Sequence, residues 1–422
     1  MRRYGEYKDT GIGWLPKLPS HWQLEQLRKY IRQVSKKGYP EKQLLSVTRE
    51  QGVIVRDTES KEENHNFIPK DLSGYKYVEE GQLVINKMKS WQGAYGVSNY
   101  EGIVSPAYFV CDLDFPNKRF FSLALRSRNY INFFAQYSKG IRVGQWDLSP
   151  VGLKSIPFFE PPLAEQEKIV SYLESKTLCI DAYVRERERE LQLLNELKEA
   201  EIANVVTRGL NPDVKMKDSK NILLGTIPAH WEERKLKYCF SERTEKNHPE
   251  EPILCATQSQ GVIPQSMYQN RVVVVNKGFE GLKFVKAGDF VISLRSFEGG
   301  IEYAYYQGII SAAYTILTPK EIEYTDYFRL LFKCQPFIHV LQTCVTGIRE
   351  GQNINYQMLG RKFIPLPPIE EQRAIVAYIE DKCNKVNSLI SELEAEIEYL
   401  KEYKQKLIAD CVTGQINVQS EI

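Results

Sequence analysis

Two short loops carry the residue types best suited to chemistry in this chain. Lys89-Ser90-Trp91-Gln92-Gly93 sets a cation beside an aromatic ring and a polar side chain, and Arg295-Ser296-Phe297-Glu298-Gly299 repeats the pattern. A cation can neutralise a phosphate or donate to guanine O6 and N7, and glycine lets backbone approach closely. The competing interpretation is a cationic turn whose ring returns to the core. That is the favoured place for Trp91 and Phe297, while Lys89 and Arg295 suit both readings equally.

The second loop, Gly140-Ile141-Arg142-x-Gly144-Gln145, recurs as Gly347-Ile348-Arg349-x-Gly351-Gln352. Its Arg and Gln are apt donors to phosphate and to adenine edges. An Arg paired with a local carboxylate is an equal alternative. Loops alike in both copies suit shared backbone contacts. Positions that differ, Arg49/Gln258, Glu50/Ser259 and Gln92/Glu298, suit base reading. The candidate DNA contacts are therefore Arg49, Gln51, Lys87, Lys89, Arg142, Gln145, Gln258, Gln260, Arg295, Arg349 and Gln352.

Motifs for catalysis are missing. There is no GxxxxGK[ST] phosphate loop and no Gly-x-Ser-x-Gly elbow. The 8 Cys are scattered singly and the 5 His are dispersed, so reduced thiols and no zinc site are expected. Pro212-Asp213 with Glu233-x-Lys235 loosely fits a metal-dependent nuclease, but Leu24-x-Gln26 stands at the second part's place in the first copy. Ser105-Pro106-Ala107-Tyr108 resembles the loop with which amino-methyltransferases hold a flipped base. Its second proline is absent, the other copy reads Ser311-Ala312-Ala313-Tyr314, and a buried strand is expected instead. The chain is predicted to be non-catalytic, with no cofactor of its own.

The elements that must position these loops come in duplicate. Pro19-Ser20-His21-Trp22 returns as Pro228-Ala229-His230-Trp231, Gln51-Gly52-Val53-Ile54 as Gln260-Gly261-Val262-Ile263, and Pro161-Pro162-x-x-Glu165-Gln166 as Pro367-Pro368-x-x-Glu371-Gln372. With the two loops above and Gly102–Tyr108 against Gly308–Tyr314, these landmarks keep one order at offsets of 206 to 209 residues. Such order marks a tandem duplication and predicts pseudo-twofold symmetry. Each copy begins with a part rich in short strands, such as 82–85 and 271–275, with one helix expected over 121–137 and 327–341. A long helix then starts at each Pro-Pro.

In the second long helix Ile379, Cys383, Val386, Ile390, Leu393, Ile397 and Leu400 step by 4 and 3, a heptad seam. Its counterparts are Leu173, Thr177, Ile180, Val184, Arg187, Leu191 and Leu194, weaker at Thr177 and Arg187. Pairing of the two helices is favoured over packing of each on its own globular part. Lys8-Asp9-Thr10 is echoed by Lys217-Asp218-Ser219 after the first helix, a circular arrangement cut open once.

The chain has 422 residues and a formal net charge of +2, with 26% charged and 42% hydrophobic residues, ordinary for a globular protein of two or three domains. Residues 163–206 and 369–412 are each net acidic, so a positive excess lies outside the helices, where it could serve a polyanion. A polar start and no long apolar run predict a cytoplasmic protein.

In its ordered, duplicated landmarks, and in the helix ends Val206-Thr207-Arg208-Gly209 and Val412-Thr413-Gly414, the chain resembles the specificity subunits of type I restriction–modification systems over essentially its whole length. The resemblance implies an α+β fold: two mixed α/β target-recognition domains, related by a pseudo-twofold axis and separated by two long helices in an antiparallel coiled coil. The expected divisions are a first recognition domain (1–160), a helical spacer (161–207), a linker (208–224), a second recognition domain (225–366) and a second spacer (367–414). Each recognition domain would read half of a split double-stranded DNA target. Two methylation subunits would dock on the scaffold, with Glu165, Gln166, Glu371 and Gln372 as candidate contacts, and motor-nuclease subunits would complete the complex. S-adenosylmethionine, ATP and Mg²⁺ would be used by those partners. A stand-alone nuclease or methyltransferase, and a coiled-coil scaffold binding only protein, are the rival readings.

Overall fold

The computed structural model describes residues 2–58, 68–140, 146–268, 278–320, 325–347 and 353–419. The expected strand at 271–275 lies outside them. The chain forms two compact units, Met1–Glu188 with Ala395–Ile422, and Arg189–Glu394. The helical segments expected as separate spacers are instead shared out between these units.

In the first unit a four-stranded antiparallel sheet runs in the order Ile31–Val34, Phe109–Leu113, Leu83–Ile85, Tyr95–Val97. Alternation along its strands gives the sheet two different faces. Leu83, Ile85, Phe109 and Cys111 join a large aromatic core with Phe120, Phe121, Phe134, Phe158 and Phe159. Val84 and Val110 face a small second core with Leu45, Val47, Val53, Val78 and Val104. This second core seats the hairpin of strands Leu45–Thr48 and Gly52–Val55.

The second unit repeats the order with Phe240–Arg243, Thr315–Pro319, Phe290–Ile292 and Glu302–Tyr303. Phe290, Ile292 and Leu317 enter its large core, and Val291 and Ile316 enter the small one beneath the hairpin Leu254–Thr257/Gly261–Pro264.

The single helix expected in each copy is two. Lys118–Leu125 and Arg128–Gln136 are separated at Arg126-Ser127, and Thr325–Leu331 and Gln335–Gln342 at 332–334. Ser127 and Cys334 are extended N-caps, and Pro336 stands in the first turn of the helix that follows, where its missing N–H costs nothing. Apolar residues continue across both breaks, which is why the pattern reads as one helix.

The long helices are Leu163–Arg208 and Ile369–Val412. Along both, the expected seam positions are the less exposed ones, including Thr177 and Arg187. Within the first unit, Lys404 donates to Asp181 at 2.6 Å and Tyr183 to Glu396 at 3.1 Å. Within the second, Lys198 donates to Asn387 at 2.8 Å and Tyr378 to Glu201 at 2.8 Å. In each unit the start of one helix thus lies beside the end of the other, running antiparallel. The less favoured alternative also holds in part, because Ile169, Val170 and Leu173 are buried in the first unit's large core.

A node of repeated landmarks closes each unit. Glu165 accepts from Trp22 Nε1 at 3.0 Å and Tyr4 Oη at 3.0 Å, with His21 Nε2 at 2.6 Å. Glu371 accepts from Trp231 Nε1 at 2.9 Å, with His230 Nε2 at 2.6 Å. The indole rings also meet the helix ends: a Cβ on Gly414 would lie 3.1 Å from Trp22, and one on Gly209 3.2 Å from Trp231. Both glycines have positive φ (69° and 76°), so no other residue fits as well. The lead-in hairpin Tyr7–Ile12/Leu15–Pro19 therefore sits against the end of the second long helix, and Met216–Asp218/Thr226–Pro228 follows the end of the first. Leu223-Leu224 stands in the second lead-in where the first has Trp14-Leu15, and Leu224 is buried as Leu15 is.

Candidate nucleic-acid interface

Each hairpin above the small core ends in three exposed residues, Arg49-Glu50-Gln51 in the first unit and Gln258-Ser259-Gln260 in the second. Both turns are built alike. A Thr hydroxyl accepts from the last tip amide (Gln51 N to Thr48 Oγ1, 3.1 Å; Gln260 N to Thr257 Oγ1, 3.0 Å), and Gly52 or Gly261 returns the chain at positive φ. Arg49 pairs with Glu50 at 2.6 Å and holds that carboxyl below its ordinary range by hydrogen bonding.

The Lys89 and Arg295 loops lie against these tips. A Cβ on Gly93 would stand 3.8 Å from Arg49 Cγ, and one on Gly299 would stand 2.7 Å from Gln258 Cγ. Glycine at 299 therefore makes room for Gln258, whereas at 93 the space is ordinary and the positive φ of 96° is what favours glycine. The side chains of Lys89 and Arg295 are exposed and make no hydrogen bond or ion pair with the described residues. Lys87 is paired with Asp147 at 2.8 Å. Trp91 is half-buried, 5.0 Å from Trp146 between ring centroids, and Phe297 is half-buried against the large core.

Arg142, Gln145, Arg349 and Gln352 lie outside the described residues. The strands flanking them are hairpins, Ser138–Lys139 with Asp147–Leu148 and Val345–Thr346 with Asn353–Ile354. Leu148 N donates to Lys87 O at 3.1 Å, which joins the first of these hairpins to the Lys89 loop. In the first unit, then, one surface gathers Arg49, Gln51, Lys87 and Lys89. In the second, one surface gathers Gln258, Gln260 and Arg295.

Two expectations need correction. Gln166 and Gln372 are 1% and 2% exposed and donate to Pro161 O and Pro367 O at 2.7 and 2.8 Å. They fasten the starts of the long helices and have no surface for a partner. Glu165 and Glu371 are engaged inside the chain by the Trp and His of the node. Residues 105–108 and 311–314 form turns between strands, with Ala107 N on Ser105 Oγ and Ala313 N on Ser311 Oγ, rather than buried strand. Partly buried Lys76 and Lys283 donate to Tyr108 O and Tyr314 O at 2.6 and 2.7 Å and hold the turns down. The nuclease pattern is also dispersed in role, since Glu233 accepts from Ser219 Oγ and Lys220 N.

Sequence reasoning missed Arg126 and Lys333, at the helix breaks. Arg126 donates to Tyr95 O (2.9 Å), Arg49 O (3.2 Å) and Glu50 O (2.7 Å). Lys333 donates to Gln258 O (3.0 Å), Gly299 O (2.9 Å) and Glu302 Oε1 (2.6 Å). The available signal was a basic residue kept at one place in both copies.

The described residues thus form a duplicated α+β protein, two units of one design that each present exposed polar loops on a four-stranded sheet. No helix among the described residues is long and apolar enough to cross a membrane. Residues 228–399 match the family model for the type I restriction modification DNA specificity domain. The putative type I restriction enzyme MjaX specificity subunit of Methanocaldococcus jannaschii is 23% identical, over 98% of this chain and 97% of its own. The EcoKI specificity subunit of Escherichia coli is 20% identical over 84% and 79%. Among solved structures, a chain from a study of complex assembly and conformational transition in the type I R-M system superposes with a TM-score of 0.65. It is 18% identical and covers 94% of this chain and 99% of its own length. Residues 228–399 thus carry the specificity domain, and the chain as a whole is similar to specificity subunits of type I restriction–modification systems over nearly its full length.

Proposed function

We propose that this chain is the DNA-recognition subunit of a type I restriction–modification complex, each unit reading one half of a bipartite target. The observation that carries this reading is the pair of equivalent exposed surfaces, alike in their supports and different in their tips: Arg49-Glu50-Gln51 in one, Gln258-Ser259-Gln260 in the other. Like supports with unlike side chains are what two readers of two sequences require.

The chain itself performs no catalysis on this reading. Two methylation subunits dock on it and use S-adenosylmethionine, motor-nuclease subunits use ATP and Mg²⁺, and the assembly works in the cytoplasm. The long helices set the gap between half-sites. Exchanging residues 14–160 for the first domain of another family member tests the reading, with bound sequences selected from a random library. One half of the selected sequence should change and the other persist. Change in both halves would defeat it.

A further inference from the structure

The hairpin tips carry the residues that differ between copies, yet each tip is a three-residue turn with its side chains in solvent. Discrimination between bases depends on donors and acceptors held in fixed geometry, so something beneath the turn must fix its backbone. In both units that something is a cation at the break between two helices. Arg126 spans the tip and the edge strand through three carbonyls, and a Cβ on Gly52 would stand 2.4 Å from its Nη1. Lys333 ties the tip carbonyl of Gln258 to Gly299 in the neighbouring loop.

An ammonium has three donors, and those of Lys333 are spent on Gln258 O, Gly299 O and Glu302. It is therefore an internal strut with nothing left for a phosphate. The two units balance the partly buried charge differently. Gly96 occupies the place equivalent to Glu302, and Arg126 relies on carbonyls where Lys333 has a carboxylate.

We propose that Arg126 and Lys333 are positioning residues for base discrimination, one per half-site, acting by pinning the turns at 49–51 and 258–260. The proposal rests on the reading that each unit reads a half-site. The full-length chain, assembled with its methylation subunits, is used to select sequences from a randomised bipartite library. Arg126→Ala should flatten preference in the first half-site by about tenfold or more and leave the second intact. Lys333→Ala should do the reverse.

Arg126→Lys should restore part of the first preference. Lys333→Arg with Glu302→Gly, which copies the first unit's solution, should keep the second. A folded Arg126→Ala or Lys333→Ala protein with unaltered preferences, or with equal loss in both halves, overturns the proposal. Should an alanine variant not fold, failure of the Arg/Gly exchange to keep the second preference overturns it. A wild-type complex that selects no bipartite sequence sinks the functional reading instead. The anchoring is then judged by amide hydrogen exchange at 49–52 and 258–261, which must quicken in the alanine variants, and unchanged exchange overturns it.

Discussion

At the scale of single residues, Lys89 and Arg295 are exposed cations in the loops beside the hairpin tips, and the proposed function makes them candidates to meet DNA. If they contact base edges, Lys89→Ala or Arg295→Ala should weaken specific binding by roughly 1–3 kcal/mol and relax one position of the target. If they contact phosphate, affinity should fall evenly over sequences and the salt slope by about one. Titration at several salt concentrations separates the two, and unchanged affinity and slope would remove this loop from the interface. Glu302 gives a second test. Burial pushes its carboxyl from 4.5 up to about 7, against the opposing pull of Lys333. The folded state therefore keeps a proton that the unfolded state has released, so this group's contribution to stability falls as pH rises from about 4.5 to about 7 and is level above. Glu302→Gln should flatten that decline in thermal unfolding measured at pH 5, 6 and 7.5. Parallel curves for variant and wild type would contradict it.

At the scale of elements, much was legible because packing demands particular residues. Trp22 and Trp231 are buried against helix-ending glycines, the Pro-Pro and Gln pairs fasten helix starts, and the 4-and-3 seam survives even where Thr177 and Arg187 weaken it. The roles of Arg126 and Lys333 were legible only as a basic residue repeated at one place in both copies, since the helix break that aims them is bridged by a continuous apolar pattern and their shared partners are backbone carbonyls, which carry no sequence signal. The long helices offer a test at this scale. A heptad inserted near Arg187 and Leu393 adds ~10 Å at ~1.5 Å per residue, about three base pairs. It also turns a half-site by about 100° around the duplex. If the helices set the gap, the variant should select a wider spacer with unchanged half-sites or lose specific binding. Selection of the original spacer at wild-type affinity would refute that role.

At the scale of the molecule, neither compact unit is made from one copy of the repeat. The first is completed by Ala395–Ile422 and the second by the helix end beginning at Arg189. A gene encoding a single copy would hence yield a chain that cannot finish its own core: Leu407, Cys411 and Val412 are buried beside the lead-in segment of the other copy. Two such chains could repair each other by trading helix ends, a reciprocal domain swap with isologous symmetry. Residues 210–422 expressed alone should therefore sediment as a dimer, and a stable monomer would show that the exchange is dispensable. If each unit reads a half-site, an isologous dimer carries two identical readers related by a twofold axis, and its preferred DNA should be a palindrome of the second half-site. In this light, fusing two copies into one polypeptide is the step that frees the recognised sequence from palindromy.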